Sequence, residues 1–444
     1  KLQRRPARRS QVPTEAGHEM SKLSVGFNQD SSLITVGSTR GFSVYRCNPF
    51  KKCFQAADGS IKFVEMLFST SLVALVGSGK QAAFSPRRIR LYSTKTRQFI
   101  CELDFATTVL NVKMNNKRLV AVLESKIHIF DLETLNILHT LRTPSNPRGV
   151  IALSSNVNNG FMALPGHDSK GEILIYDVIN CQVRSSNNAC NNPIQNLSMN
   201  AEGTLLAAAS TQGTVIRVFS VPDGALVHSF RRGSYPVTIH SIAFSRNNSH
   251  IAVSSTSNTI HVFELKTQEK PNPKTKPSAS ITSYLPNLLC NMIKPERHFA
   301  FVNQKDSSHR TVVAFNEGFL LVLSEQGYFC RYVIPEKGGE CKLGMEFPLV
   351  EKPDEEMGVK IHGQGAAQTL FDVQHDAGTT GDKKQVKTRL SKEHFESVFL
   401  PKESPKKEAT RKDSQNGQLG IGLNGNDSKK RVPKSLKDGF VKKG

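Results

Sequence analysis

The sequence predicts an all-β protein built as a seven-bladed propeller, and three features predict it: a strand motif repeated seven times, a spacing close to one blade, and turn residues between paired strands. Each copy alternates apolar residues and carries an aromatic near its end: GFSVYRC at 41–47, RIRLYST at 88–94, KIHIFDL at 126–132, EILIYDV at 172–178, VIRVFSV at 215–221, TIHVFEL at 259–265 and YFCRYVI at 328–334. Aligned on Tyr45, Tyr92, Phe130, Tyr176, Phe219, Phe263 and Tyr332, the copies lie 47, 38, 46, 43, 44 and 69 residues apart. A four-stranded blade of the WD40-like type needs about 40–45 residues. Within each copy, alternation with period 2 sets one side of the strand against the neighbouring blade. Turns are supplied by Thr39-Arg40-Gly41, Thr211-Gln212-Gly213 and Ser257-Asn258. The chain has no Trp, and only Asp131 and Asp177 follow the repeat aromatic, so the propeller is a divergent one. A β-sandwich array would not sustain this period.

The long last interval locates an insertion in the sixth blade, Lys266 to Arg297, where Pro and Lys crowd before an apolar segment. Ile281, Tyr284, Leu285, Leu288, Leu289, Met292 and Ile293 recur there at the spacing of one helical face, with Pro286 near its start and Pro295 ending it. The propeller is expected over 20–349. Segments 1–19 and 350–444 are expected to be disordered basic tails, because their composition cannot bury enough apolar surface to offset the entropy of ordering. No apolar run approaches the roughly 18 residues of a spanning helix, and the basic start lacks the apolar stretch of a signal peptide.

The formal net charge is +21, with +3 in residues 1–19 and +9 in 382–444, which leaves +9 for the middle of the chain. A basic folded core points to a polyanionic partner, nucleic acid or an anionic membrane. Eight scattered cysteines include no CxxC pair, so reduced thiols are expected and no metal site.

Motifs for catalysis are missing. Gly77-Ser78-Gly79-Lys80 imitates a phosphate loop, but Ala74 stands where the earlier Gly belongs and Gln81 where Ser or Thr belongs. No HExxH or GxSxG occurs, so the chain is read as a binding protein without a cofactor rather than an enzyme. The informative tetrapeptide is Phe230-Arg231-Arg232-Gly233, between the fifth and sixth blades. In extended chain, successive side chains point to opposite faces, so Arg231 and Arg232 should reach two separate pockets. Each guanidinium fork is able to hold a phosphate through two hydrogen bonds. Gly233 is expected to allow the following turn and a close approach of a ligand to the backbone. Ser210, Thr214 and Arg217 before the pair, and Thr238, Ser241, Ser254, Ser255 and Thr256 after it, suit a phosphorylated polyol.

FRRG followed by SYPVTIHSIAFS, between GTVIRVF and TIHVFEL, resembles the PROPPIN family, the WIPI-type autophagy propellers. EMLFSTSLVALVGSG (65–79), SPRRIRLY (85–92), NPRG (146–149), SYLP (283–286), RHFA (297–300) and EKGGEC (336–341) extend the likeness over about residues 23–346. The resemblance implies a seven-bladed propeller that binds phosphatidylinositol 3-phosphate and phosphatidylinositol 3,5-bisphosphate at two sites beside the paired arginines. By position, Arg231 with Ser210, Thr214 and Arg217 would form the first, and Arg232 with Thr238, Ser255 and Thr256 the second. Where many members carry Ala-His, this chain has Ala189-Cys190, which predicts a weaker or differently selective first site.

The resemblance also implies that Leu285, Leu288, Leu289, Met292 and Ile293 enter the bilayer. Gln81 to Arg88, with Pro86, Arg87 and Arg88, would then engage the bridge-like lipid-transfer protein of autophagy. The implied setting is a cytoplasmic monomer, peripheral on preautophagosomal, endosomal or vacuolar membranes, that recruits autophagy machinery and has no nucleic-acid partner. A propeller scaffold for protein or nucleic-acid partners is the alternative from charge alone.

Overall fold

In the computed structural model every copy of the aromatic motif is the third strand of an antiparallel sheet, and there are seven such sheets. Residues 24–156, 158–266, 296–304 and 308–349 are described, together with the backbone of 360–361. Blade one is β1 (Ser24–Phe27), β2 (Leu33–Ser38), β3 (Gly41–Cys47) and β4 (Phe50–Ala56). Blade two is β5 (Ile61–Met66), β6 (Leu72–Gly77), β7 (Arg88–Ser93) and β8 (Gln98–Asp104). Blade three is β9 (Asn111–Met114), β10 (Arg118–Val122), β11 (Lys126–Asp131) and β12 (Ile137–Arg142). Blade four is β13 (Ala152–Leu153), β14 (Phe161–Pro165), β15 (Gly171–Asp177) and β16 (Gln182–Cys190). Blade five is β17 (Ile194–Met199), β18 (Leu205–Ser210), β19 (Val215–Ser220) and β20 (Leu226–Arg231). Blade six is β21 (Ile239–Phe244), β22 (His250–Ser255), β23 (Thr259–Glu264) and β24 (Ala300–Asn303), joined at its edge by β28 (Gly339–Glu340) in parallel pairing. Blade seven is β25 (Thr311–Asn316), β26 (Phe319–Ser324), β27 (Tyr328–Val333) and β29 (Lys342–Pro348), with β30 (Lys360–Ile361) outside it.

The alternation expected of the repeated copies shows at the start of the third strands, as in β7, where Ile89 and Leu91 are buried between the half-buried Arg88 and Arg90. It gives way there to burial of successive residues from Leu91 to Ser93. The second strand β6 is buried at every position, while the outermost β4 alternates between half-buried and exposed. The reason is geometric: an inner strand lies between two neighbouring blades and buries both faces, as in parallel sheets covered on both sides. The repeated aromatic has a further role that the spacing did not announce. In six blades the ladder between third and fourth strands shifts register directly before it, at Val44/Tyr45, Leu91/Tyr92, Ile129/Phe130, Ile175/Tyr176, Val218/Phe219 and Arg331/Tyr332. A bulge there increases the local twist, which fans the outer strand away from the axis.

The first strands line a central cavity of about 810 Å³. Inside it the half-buried Glu65 accepts from Lys113 Nζ at 3.0 Å, bridging blades two and three. Ring closure uses side chains, since all four strands of blade one come from the N-terminal part and those of blade seven from the C-terminal part. Val25, Ile34, Val36 and Tyr45 share one core cluster with Ala314, Leu321, Leu323 and Phe329, and the Tyr45 hydroxyl donates to the Leu349 carbonyl at 2.6 Å. Phe50 stacks on Tyr45, Phe329 and Phe347 at centroid distances of 5.6, 5.5 and 4.3 Å. No helix among the described residues is long and apolar enough to cross a membrane.

Candidate anion-binding rim on blades five and six

Blade five presents its two faces to different neighbours. Leu206, Ala208 and Phe219 pack with Ile173, Ile175 and Ala189 of blade four, whereas Ile216, Val218 and Phe230 pack with Ile242, Ile251 and Phe263 of blade six. Directly paired residues of an antiparallel ladder share a face. Ala208 pairs with Arg217, Arg217 with Ser229, and Val215 with Arg231, so Arg217 and Arg231 lie on the blade-four side together with Ser210, two residues beyond Ala208. Arg232 follows Phe230 to the blade-six side. The two arginines therefore face different seams, and neither lines the central cavity.

Their surroundings differ more than the sequence implied. Arg231 is exposed, with its backbone N–H on the Glu296 carbonyl at 2.8 Å. Beside it Arg217 is half-buried, and its Nε has no hydrogen-bond partner although water does not reach it. A buried donor of this kind carries an uncompensated desolvation cost, which an incoming anion would remove. Arg232 is 8% exposed. Its Nε donates to the Gly213 carbonyl at 2.8 Å and its Nη2 to the Tyr235 carbonyl, and desolvation lowers its pKa from the ordinary arginine value. The two forks expected on separate faces are thus unlike in their surroundings: Arg231 is open, whereas Arg232 is seated on carbonyls.

Glycine is demanded at 213 rather than at 233. Gly213 has φ +59°, and a Cβ there would come within 2.2 Å of the Val237 carbonyl oxygen. A Cβ at Gly233 would meet nothing within 4 Å. The turn that seats Arg232 therefore depends on the glycine of Thr211-Gln212-Gly213, and Gly233 leaves open space above the backbone.

Thr214 gives its carbonyl to the N–H groups of Arg232 and Gly233, at 2.9 and 3.3 Å. Thr238 and Thr256 are exposed and clasp each other, the Thr256 N–H donating to the Thr238 carbonyl at 2.9 Å. Ser255 is 1% exposed and shares its hydroxyl with Ser257 at 2.9 Å. Ser254 leaves the rim altogether: it is wholly buried and donates to the Thr311 carbonyl at 2.8 Å, because alternation turns it towards blade seven. Cys190 ends β16 half-buried, its thiol donating to the Asn192 carbonyl at 3.2 Å.

His261 was not singled out by the sequence reading. It lies two residues before Phe263, on the face towards blade five, with Nδ1 buried and unpartnered. Burial, then the His298 and Arg232 charges, push its pKa down to about 4. The signal was its phase within TIHVFEL, which sets it on the same face as the aromatic.

Acid is scarce here. Between Glu202 and Glu264 the only carboxylate is Asp223, in the turn between β19 and β20 at the far end of the strand from Arg231. The loop read as a partner site is different: Arg87 is exposed, but Arg88 opens β7 and pairs with Asp104 and Glu102, both at 2.6 Å. Leu285, Leu288, Leu289, Met292 and Ile293 lie outside the described residues, as do both tails apart from the backbone of 360–361. Among the described residues no group of three or more His, Cys, Asp or Glu is placed to hold a metal ion.

The family model described as PROPPIN matches residues 21–349. "Autophagy-related protein 18" of Yarrowia lipolytica is 38% identical over 384 residues, spanning 74% of this chain and 96% of that protein. The corresponding protein of Dictyostelium discoideum is 36% identical, over 75% of this chain and 94% of its own length. Among solved structures, KlAtg21 in complex with the coiled-coil of AgAtg16 superposes with a TM-score of 0.62 at 28% identity, covering 74% of this chain and 100% of that one. With the seven sheets and the FRRG rim already in place, these matches settle the assignment: this chain belongs to the PROPPIN family of β-propellers.

Proposed function

We propose that this protein is a phosphoinositide-binding peripheral membrane effector that recruits autophagy machinery, reading phosphatidylinositol 3-phosphate and phosphatidylinositol 3,5-bisphosphate with the blade-five and blade-six rim. The observation that carries the reading is the rim's unpaired charge: among the described residues no carboxylate forms an ion pair with Arg217, Arg231 or Arg232, Glu296 meeting Arg231 through its backbone carbonyl, and Arg217 Nε is buried without a partner. A phosphorylated inositol supplies both missing elements, negative charge and many acceptor oxygens. Ser210, Thr214, Arg217 and Arg231 would take one head group; Arg232, Thr238, Ser255 and Thr256, beside His261, would take the other. The two places face different seams, so lipids on one membrane would act together through effective concentration. The insertion with Leu285, Leu288, Leu289, Met292 and Ile293 would add apolar contact, and the exposed Arg87 within Gln81 to Arg88 would serve the lipid-transfer partner. Relatives named for autophagy support the cellular role. The role is one of binding and recruitment rather than catalysis.

Vesicle flotation tests this. The full chain should float with phosphatidylcholine vesicles carrying phosphatidylinositol 3-phosphate and not with vesicles of equal charge made with phosphatidylserine. Changing Arg231 and Arg232 together to Thr should lower that affinity about a hundredfold or more, since charged hydrogen bonds to both phosphates are lost. Binding that ignores the lipid head group, or nucleic-acid binding that survives the double change and falls steeply with salt, would overturn the reading.

A further inference from the structure

We infer that Tyr235 is an interfacial anchor that seats the blade-five rim at head-group depth in an anionic bilayer; the inference deepens the phosphoinositide reading and rests on it. Tyr235 is 82% exposed, more than any other large hydrophobic side chain among the described residues, the next being Ile137 at 57%. Such a ring in water gains nothing from the fold that presents it. Yet the backbone beneath it is held. The Tyr235 carbonyl accepts from Arg232 Nη2, and the same guanidinium grips the Gly213 carbonyl at 2.8 Å. Two residues on, the Val237 N–H donates to the Gln212 carbonyl at 3.1 Å, with Pro236 fixing its own φ between them. The turn therefore projects its phenol from a pinned base.

What covers the ring follows from its neighbours. Arg231, Ser234, Thr238 and Thr256 are exposed around the same end of the blades, and the exposed acid beside them, Glu296, meets Arg231 through its backbone carbonyl rather than its carboxylate. Asp223 is separated from them by the length of β20, roughly 16–20 Å for six residues. A cationic, hydroxyl-rich rim complements anionic lipid head groups. A tyrosine with an apolar body and a polar tip suits the boundary between head groups and acyl chains, where such rings concentrate. Arg232 links the two functions, because the guanidinium that positions the ring belongs to the pair proposed to meet the phosphates.

The chain contains no Trp, so a Tyr235→Trp variant carries a single indole. On adding phosphatidylcholine vesicles with phosphatidylinositol 3-phosphate, its emission should shift to the blue and be quenched by brominated lipid. Tyr235→Ala should bind those vesicles about tenfold more weakly, while its affinity for soluble inositol 1,3-bisphosphate stays within about twofold of the parent chain. An indole that remains in water while the variant floats would overturn the anchor alone. Equal loss of vesicle and soluble head-group affinity in Tyr235→Ala would do the same, because it would make Tyr235 part of the phosphate site. Failure of the parent chain to prefer the 3-phosphate vesicles would remove the underlying reading and the anchor with it.

Discussion

Blade two and blade five carry arginines at matching places and treat them in opposite ways. In the third strand, Arg90 of RIRLY corresponds to Arg217 of VIRVF, two residues before the repeat aromatic. Across the ladder Arg90 faces Glu102, while Arg217 faces Ser229. One step further along the same edge, blade two pairs Arg88 with Asp104, while blade five sets Val215 opposite Arg231. The outcome in blade two is a closed network: Arg88 Nη1 reaches Glu102 at 2.6 Å, and Arg90 Nε lies 2.8 Å from the same carboxylate, in an ion pair too bent for a hydrogen bond. In blade five the acids have been replaced by a hydroxyl and a second arginine. The fold thus offers every blade the same position, and the residue across the strand pair decides whether a guanidinium binds the protein itself or something outside it.

The largest effect that sharpens this contrast concerns Arg232. Replacing it with Ala should cost roughly 2 kcal/mol in urea unfolding, because the Gly213 carbonyl loses a charged donor at a buried seam. Arg231→Ala, with an exposed side chain, should leave the midpoint within about 0.5 kcal/mol. Equal stability costs would show that the two arginines are not seated as differently as their burial indicates.

A smaller effect is expected from blade two. Arg88→Ala removes partly exposed ion pairs and should destabilise by less than about 1 kcal/mol, with flotation on phosphatidylinositol 3-phosphate unchanged. A clear fall in lipid affinity would break the comparison, since it would give blade two a share in the membrane face despite its carboxylates.

Much of this was legible before any coordinates. The seven aromatic strands fixed blade number and order, because a blade repeats one hydrophobic rhythm and its aromatic lands at one place in each sheet. Opposed facing of Arg231 and Arg232 followed from strand alternation. The burial of Arg232 did not, since it depends on carbonyls of Gly213 and Tyr235 that loop geometry alone brings within reach. Ser254 and Ser255 read alike in sequence. Only the neighbouring blade distinguishes them, by placing the Thr311 carbonyl against Ser254. The acid partners of Arg88 were likewise hidden, because Glu102 and Asp104 come from the next strand and their register is a property of the hairpin.

The central claim is that two arginines facing different seams hold two head groups, and counting bound ligand by calorimetry measures it most directly. Titrated with soluble inositol 1,3-bisphosphate, the full chain should bind about two equivalents, about one after either Arg231→Thr or Arg232→Thr, and none after both. A single equivalent in the parent chain, or complete loss after either single change, would contradict it.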